Sequence, residues 1–338
     1  MDPVDALNEI AYWLERELAS SFKTKAFRRA AAAVAAIPAE KVATDAASGA
    51  LKSVSGIGGT TFEVILEAVN GQVPTYLAEL RERSDKPLVS GGEELRASLR
   101  GDLHSHSDWS DGTTPIELMA GTAQWLGHDY LALTDHSPRL RVANGLSAER
   151  LTEQLGVVAQ LNAGYDGFRV LTGIEVDILD DGDLDQSDDM LGQLDIVVAS
   201  AHSKLRMDRS AMTQRLLGAV RDPHTTVLGH VTGRLVQGSR GTRPQSEFDA
   251  AAVFAECAAS GVAVEINSRP ERQDPPDDLI AVALDAGCLF SIDSDAHAPG
   301  QLGFLDYGAA RADAAGIPPE RIVTTWPLDR LLDWAGRA

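Results

Sequence analysis

One pattern dominates the sequence between residues 101 and 297: a short apolar run, then a segment of helical length, repeated along the chain. The seven runs are GDLHSH, YLALTDH, RVLTGIEVDI, DIVVASAH, TTVLGHV, VAVEIN and LFSIDSDAH. Strands that alternate with helices pair in parallel through right-handed crossovers, and mostly apolar runs are typical of strands buried on both faces. The pattern therefore predicts an α/β fold, a closed or nearly closed (β/α)7 barrel.

Each run ends with residue types that bind divalent metals. The carboxyl ends of barrel strands converge on one mouth, so side chains far apart in the sequence meet there. A lone histidine at a strand end is more often a satisfied polar residue, but a whole cluster of His, Asp and Glu is costly to bury without a cation. His128 and His224 lie away from the strand ends and are interpreted as structural. We predict nine metal ligands: His104, His106, Asp111, His136, Glu175, His202, His230, Asp295 and His297.

The spacing of two ligand pairs supports a metal centre. His104 and His106 are two residues apart, which places both imidazoles on the same side of an extended strand. Asp295 and His297 repeat that spacing. Two ions can share a bridging hydroxide, lower its pKa and neutralise a phosphoryl group, so such a centre is chemically suited to phosphate esters, with Glu175 as the candidate bridge between two ions.

Three cations follow ligand-bearing strand ends: Lys204, Arg234 and Arg272. An ammonium or guanidinium at this position can bind the free oxygens of a phosphate group. The alternative interpretation is solvated surface charge. We take the three, together with Glu175, as candidate catalytic residues.

Seven sequence blocks resemble one known family. They are GDLHSHSDWSDG, LALTDHS, GIEVDIL, VVASAHS, LGHVTGR, EINSRPERQD and SDAHAPGQLGFLDYG, and together they resemble the polymerase-and-histidinol-phosphatase (PHP) family over residues 101–338. The resemblance implies a distorted (β/α)7 barrel that holds up to three divalent metals, zinc or manganese. It also implies three ligand sets: His104, His106, Glu175 and Asp295; Glu175, His202 and His230; and Asp111, His136 and His297. Many family phosphatases have histidine where this chain has Asp111.

Residues 1–83 show a different, purely helical periodicity. Within them, LKSVSGIGG places glycines before a helix, a pattern that lets backbone amides approach a nucleic-acid phosphate. With FKTKAFRRAAAAV and GQVPTYLAEL, it resembles the helix-hairpin-helix domain at the N-terminus of family X DNA polymerases. The resemblance implies DNA binding, for which the candidates are Gly56, Gly58, Gly59, Lys23 and Lys25.

The connection over residues 84–100 mixes Pro, Gly and charge. In bacterial family X polymerases a polymerase domain separates the helical and PHP domains. Fewer than twenty residues cannot hold such a domain, so the interpretation excludes DNA synthesis.

Charge and composition limit the partners and the compartment. The formal net charge is −20, of which −2 belongs to residues 1–86 and −18 to the remainder, so affinity for DNA is expected in the N-terminal part. Two cysteines, Cys257 and Cys288, lie in apolar stretches and predict no disulfide framework. The start, MDPVDALNEI, does not resemble a secretory signal, and no apolar run could span a bilayer. We therefore expect a cytoplasmic protein without membrane contacts, and nothing in the sequence indicates its oligomeric state.

Three functions remain open at this stage. The first is a metal-dependent phosphoesterase acting at DNA ends, as a 3′–5′ exonuclease or 3′-phosphatase, and the helix-hairpin-helix pattern favours it. The second is a phosphatase for a small metabolite such as histidinol phosphate, which the acidic barrel favours. The third, a non-catalytic DNA-binding scaffold, is the weakest because such a protein would be expected to lose ligands.

Overall fold

The computed structural model describes residues 1–238 and 241–336, which form two compact units, Met1–Pro87 and Leu88–Ala338. The first unit is all-helical. Its helices are α1 (Pro3–Arg16), α2 (Ser21–Ala35), α3 (Ala39–Ser48), α4 (Gly59–Val69) and α5 (Thr75–Ser84), with a 3₁₀ turn at Ala50–Ser53. Asp2 caps α1 by accepting from the amides of Val4 and Asp5. Leu7, Ile10 and Leu14 are buried on one face of α1, as their three- and four-residue spacing predicts.

The second unit is built on a seven-stranded parallel sheet whose strands follow one another in chain order. The strands are β1 (Gly101–Asp102), β2 (Tyr130–Leu133), β3 (Arg169–Asp177), β4 (Ile196–Ser200), β5 (Val227–Leu228), β6 (Ala263–Asn267) and β7 (Leu289–Asp293). A parallel bridge between Ser105 and Ala296 joins the two outermost strands just beyond their ends. The sheet is thereby rolled into a nearly closed barrel, and the predicted (β/α)7 architecture is confirmed.

Helices of the second unit connect and cover the strands. They are α6 (Glu93–Ser98), α7 (Ile116–Trp125), α8 (Ala148–Asn162), α9 (Asp188–Leu191), α10 (Arg209–Arg221), α11 (Ala250–Ser260), α12 (Asp277–Ala286), α13 (Leu305–Ala314) and α14 (Leu328–Ala335). Short 3₁₀ turns occur at Arg141–Ala143, Pro299–Phe304, Pro319–Arg321 and Val323–Thr325. Among the helices of the described ranges, none is both long and apolar enough to span a bilayer.

Helix α6 lies inside the segment predicted as a connection. Leu95 and Leu99 stand four residues apart, and both are buried in the main apolar cluster of the barrel unit. The helix forms because this spacing places the two side chains on one face. The short EELRASL pattern was not recognised as a helix in the sequence because it lies in a polar, Gly-containing stretch.

Apolar side chains fill the barrel only at its amino-terminal end. Leu103, Leu171 and Val198 belong to a cluster that Trp326 and Leu331, from the end of the chain, also enter. At the opposite end the strands finish in His, Asp and Glu, so the polar groups are gathered at the carboxyl mouth above a packed apolar floor.

Candidate metal centre

The nine predicted ligands all come to the mouth of the barrel, as the strand ends require. Glu175 lies within β3, and the others follow β1, β2, β4, β5 and β7. Most are buried; the described exceptions are His202 and His297, which are partly exposed, and Asp111, which is exposed. Asp295 adopts a left-handed backbone conformation, with φ of 51°, an uncommon geometry that is concentrated at functional sites.

The carboxylate of Glu175 is the centre of the cluster. Its two oxygens face different groups of imidazoles, so one side chain can serve two ions. Oε1 lies 2.8 Å from His230 Nε2 and 3.1 Å from His202 Nε2, and Oε2 lies 2.8 Å from His136 Nδ1, 3.3 Å from His104 Nε2 and 3.6 Å from His106 Nε2.

A second focus forms around Asp111. Its Oδ1 lies 3.4 Å from His136 Nε2 and 3.3 Å from His297 Nε2. His297 Nδ1 lies 2.9 Å from the carbonyl oxygen of Asp295, and donation to that oxygen leaves the Nε2 lone pair directed toward Asp111. His106 Nε2 lies 3.5 Å from Asp295 Oδ1 and thus connects the two foci.

The distances group the ligands into three overlapping sets, which differ in part from those that the family resemblance implies. The sets are His106, Asp111, His136 and His297; His104, His106 and Glu175; and His136, Glu175 and His202. His106 thus joins the Asp111 set, and His136 takes the place expected for His230. His230 remains adjacent through Glu175 Oε1.

The charges of these groups shift one another's pKa values. Burial alone would raise the pKa of Glu175, but the surrounding histidines, His202 first, hold it well below its usual range. Burial would lower the pKa of His136, but Glu175 and Asp111 raise it to about 10. For His106 burial dominates, and with the neighbouring imidazoles it holds the pKa well below the usual value.

The donor atoms fit divalent cations. Several fully buried atoms have no hydrogen-bond partner within the described residues; they are His104 Nε2, both ring nitrogens of His106, His136 Nδ1, Glu175 Oε2, His202 Nε2 and His230 Nδ1. Burying so many lone pairs and a carboxylate without partners is costly. Imidazole and carboxylate donors suit zinc and manganese, so the chemistry of this set fits a centre for up to three divalent ions.

Further buried groups orient the ligands. Glu265 Oε1 lies 2.6 Å from His104 Nδ1, which fixes the tautomer that leaves His104 Nε2 free to bind a metal. Asp177 Oδ1 lies 3.3 Å from His202 Nδ1 in the same role. Asn267, the last residue of β6, donates to Asp295 Oδ2 at 3.1 Å.

Asp135 shapes the loop that carries Asp111. Its carboxylate accepts from the amide and the hydroxyl of Ser107, from the hydroxyl of Ser110 and from the amide of Gln154. An added Cβ at Gly112 would lie 2.6 Å from the backbone of Ser107, so the loop can close only with glycine there.

A cavity of about 460 Å³ opens above the ligands. It is lined by Asp111, His136, Leu140, Val142, Ala143, Ala201, His202, Arg243, Arg269, Glu271, Arg272, Asp295 and His297. The metal centre therefore forms the floor of a space large enough for a substrate.

Of the three predicted phosphate-binding cations, only Arg272 lines this cavity. Its Nε donates to Asp295 Oδ2 at 3.0 Å. Lys204 pairs instead with Asp180 and is exposed, because its left-handed backbone (φ 49°) belongs to an outer loop. Arg234 donates to the backbone carbonyls of Arg272 and Gln273, so it holds the β6 loop.

Sequence reasoning did not identify Arg243 and Arg269, which line the cavity. Arg269 Nη1 lies 3.0 Å from His297 Nδ1 and donates to the Asp295 carbonyl at 2.8 Å, and the same guanidinium pairs with Glu271. Arg269 lies two residues beyond the end of β6, and this position could have identified it from the sequence. Arg243 offered no such signal, since its place at the mouth depends on long-range loop contacts, among them the backbone bridge with Leu235 and donation from Arg243 Nε to the Gly233 carbonyl at 2.6 Å.

In the helical unit the predicted DNA-binding residues lie on exposed surface. Gly56 has φ of 94°, Gly58 precedes α4, and the amide of Gly58 donates to Thr61 Oγ1 at 2.9 Å. Lys23 and Lys25 are exposed on α2. Arg28, on the same helix, forms a bidentate pair with the buried Glu15.

Comparison with known proteins identifies two domains and several relatives. The PHP domain matches residues 102–269, and the helix-hairpin-helix domain matches residues 1–73. The "DNA polymerase/3′-5′ exonuclease PolX" of Bacillus subtilis is 39% identical over 228 residues, which cover 67% of this chain but 39% of that protein. The "probable phosphatase YcdX" of Escherichia coli K12 is 30% identical over 246 residues, 69% of this chain and 92% of that protein.

Among solved structures, the histidinol phosphate phosphatase of Lactococcus lactis, complexed with zinc, L-histidinol and phosphate, aligns with a TM-score of 0.43 and 18% identity. The alignment covers 70% of this chain and 94% of that one.

Proposed function

The chain belongs to the PHP domain family and is a metal-dependent phosphoesterase, and from this premise we propose that it hydrolyses phosphate esters at DNA ends, as a 3′–5′ exonuclease or 3′-phosphatase. The observation that carries the proposal is the presence of a helix-hairpin-helix domain in the same chain as the metal centre. PolX, named as a 3′–5′ exonuclease, supports it, although the match spans only 39% of that protein.

The nine predicted ligands at the mouth of the barrel would hold the ions. Divalent ions bound there supply Lewis-acid catalysis, since they lower the pKa of a water molecule and neutralise phosphoryl charge. Both carboxylate oxygens of Glu175 face imidazoles, so this side chain determines how far apart the ligand sets lie. Arg272 fixes Asp295, and Arg269, on the cavity wall, presents a guanidinium beside the place where a phosphate would lie.

A second function has its own support. YcdX, named a probable phosphatase, is matched over nearly its whole length, and the barrel part of this chain carries a charge of −18. Both features favour a small phosphate monoester, such as histidinol phosphate, over a polyanion.

The two functions are separated by one set of assays on the full chain loaded with manganese or zinc. The substrates are a labelled oligonucleotide with a 3′-hydroxyl, the same strand with a 3′-phosphate, and histidinol phosphate. Loss of nucleotides from the first, or of phosphate from the second, is expected for the DNA-end enzyme. Turnover of histidinol phosphate alone would reject it in favour of the metabolite phosphatase.

The role of the helical unit is tested by binding. We expect Lys23→Glu/Lys25→Glu in the full chain to weaken DNA binding and to reduce the slope of log affinity against log salt by about 2, since each lost phosphate contact removes about one counterion. Arg221→Glu on the barrel is the control because Arg221 is exposed and pairs only with Glu256 in the described part of the chain. An unchanged slope would mean that the two lysines do not contact DNA.

A further inference from the structure

The cavity above the metal centre has two chemically different sides. Arg243, Arg269 and Arg272 contribute guanidinium groups. Leu140, Val142 and Ala143, from the loop after β2, contribute an apolar edge. Val142 is 95% exposed, the largest exposed fraction among the large apolar side chains that the structure describes. Water contact with such a side chain at the entrance of a polar site is unfavourable unless a ligand covers it.

This edge belongs to a firmly held loop, residues 138–145, which we term the β2 lip. Its backbone is tied at both ends, because Arg139 N donates to Asp185 Oδ2 at 2.6 Å and Leu146 N donates to His136 O at 2.7 Å. The Arg150 guanidinium donates to Asn144 O at 2.7 Å and also to Gly145 O. A Cβ at Gly145 would collide with the Ser137 carbonyl, so the turn is closely packed against the strand end. The exposure of Val142 therefore reflects a fixed conformation.

Positive charge accompanies the apolar edge. Arg139 and Arg141 flank Leu140 in the sequence, and both are exposed. They lie on a barrel unit whose overall charge is strongly negative, in the same lip that borders the cavity through Leu140, Val142 and Ala143. An apolar surface next to guanidinium groups is the combination that binds a nucleotide chain, because bases and sugars present apolar faces and every linkage carries an anionic phosphate.

We propose that the β2 lip is the specificity element of the site and binds the strand end of a single-stranded oligonucleotide. Leu140 and Val142 contact the base and sugar beside the scissile phosphate, and Arg139 and Arg141 contact the next phosphate along the strand. This assignment rests on the proposed DNA-end activity and deepens it. A small phosphate ester would lie on the metal floor without covering Val142.

The test compares kcat/KM for a 3′-labelled oligonucleotide with kcat/KM for p-nitrophenyl phosphate and bis(p-nitrophenyl) phosphate, all with manganese. The variants are Val142→Ser and Arg139→Ser/Arg141→Ser. We expect the ratio of oligonucleotide to aryl ester to fall about tenfold in each, with the loss in KM for the oligonucleotide rather than in kcat. The matched control, Arg221→Ser, changes an exposed arginine outside the cavity lining and should keep the wild-type ratio.

Each result bears on the proposal. A wild-type enzyme that cleaves the oligonucleotide while the lip variants keep its KM and ratio would reject the lip and leave the DNA-end activity standing. If the lip variants lost activity equally on all substrates, through kcat, the lip would act by supporting the metal centre. That result would also reject the proposal. If the wild type hydrolyses only aryl esters, the DNA-end function fails and the lip assignment fails with it.

Discussion

Five imidazoles lie within 3.6 Å of the carboxylate of Glu175, so this one anion faces five of the predicted ligands. Glu175→Gln keeps the shape of the side chain and removes the charge. We expect loss of at least one metal ion per chain and a fall in kcat of at least about 100-fold, since the carboxylate faces two ligand sets.

Metal content by plasma mass spectrometry and turnover of an aryl phosphate check this prediction. Glu256→Gln, which changes a partly exposed carboxylate on α11 outside the cavity lining, is the control and should retain both properties. A fully metallated, active Glu175→Gln enzyme would contradict the assignment of Glu175 to the centre.

His128, which is not one of the predicted metal ligands, should make the stability of the protein depend on pH. It is buried, neither ring nitrogen has a hydrogen-bond partner within the described residues, and burial, helped by Arg96, lowers its pKa to about 3. The unfolded chain, with a histidine pKa near 6.5, therefore binds the proton more readily below that pH, so unfolding is increasingly favoured as the pH falls toward 3.

The size of this effect follows from the two pKa values. Between pH 7.5 and pH 5, His128 should cost the wild type about 2 kcal/mol of unfolding free energy that His128→Leu does not lose. Urea unfolding at both pH values, under identical metal conditions, measures the difference. Parallel pH dependence in the two proteins would show that His128 is protonated without penalty.

At the scale of elements, α10 holds two of the loops that form the mouth. Arg215 on α10 is fully buried and donates to the carbonyls of Ile178, Leu179 and Ser203, just beyond the ends of β3 and β4. Arg215→Met removes these bonds and leaves the buried carbonyl of Ile178 without its donor.

We expect Arg215→Met to lower the unfolding free energy by about 3 kcal/mol, because an unsatisfied buried polar group carries its full desolvation cost. Denaturant titration checks the value. Arg221→Met, one and a half turns along the same helix and exposed, should change stability by no more than about 0.5 kcal/mol. A matching small effect at Arg215 would show that water replaces the guanidinium at these carbonyls.

The strand ends were predictable because each apolar run stops where its polar residue must face the mouth. His202 and His230 could be placed in this way, each from one run. Which ligands lie close enough to share an ion was harder to predict from the sequence, because it depends on the angle at which neighbouring strands meet. Arg243 could not be foreseen, because a loop of unknown course brings it to the cavity, and α6 was missed because its two leucines are surrounded by polar residues.

At the scale of the whole molecule, the chain joins a weakly charged helical unit to a strongly acidic barrel unit. The division of charge fits the roles that we propose for the two units, DNA binding in the first and hydrolysis in the second. Within the barrel, the apolar floor and the carboxyl mouth are separate layers, so a substitution in one layer need not disturb the other.

The barrel closes where its first and last strands meet, beside the predicted metal ligands. The contacts across this joint include the Ser105–Ala296 bridge, with His106 N donating to Ala296 O at 2.8 Å, the Leu103 amide on Asp293 at 2.8 Å and the Ser294 amide on Asp102 at 3.2 Å. His106 stands on one side of the joint, and Asp295 on the other. An ion held by both residues would add a link that closes a ring of about 190 residues and would offset part of the entropy cost of closing it.

Removing the ions should therefore loosen the joint before the rest of the barrel. After treatment with a chelator, we expect hydrogen exchange to accelerate at residues 103–106 and 293–297 while the β3–β4 ladder stays protected. Uniform acceleration, or none, would show that the ring closes without metal. If this result is obtained, the supply of metal would determine what fraction of the molecules has a closed barrel, in addition to the catalytic rate of each molecule.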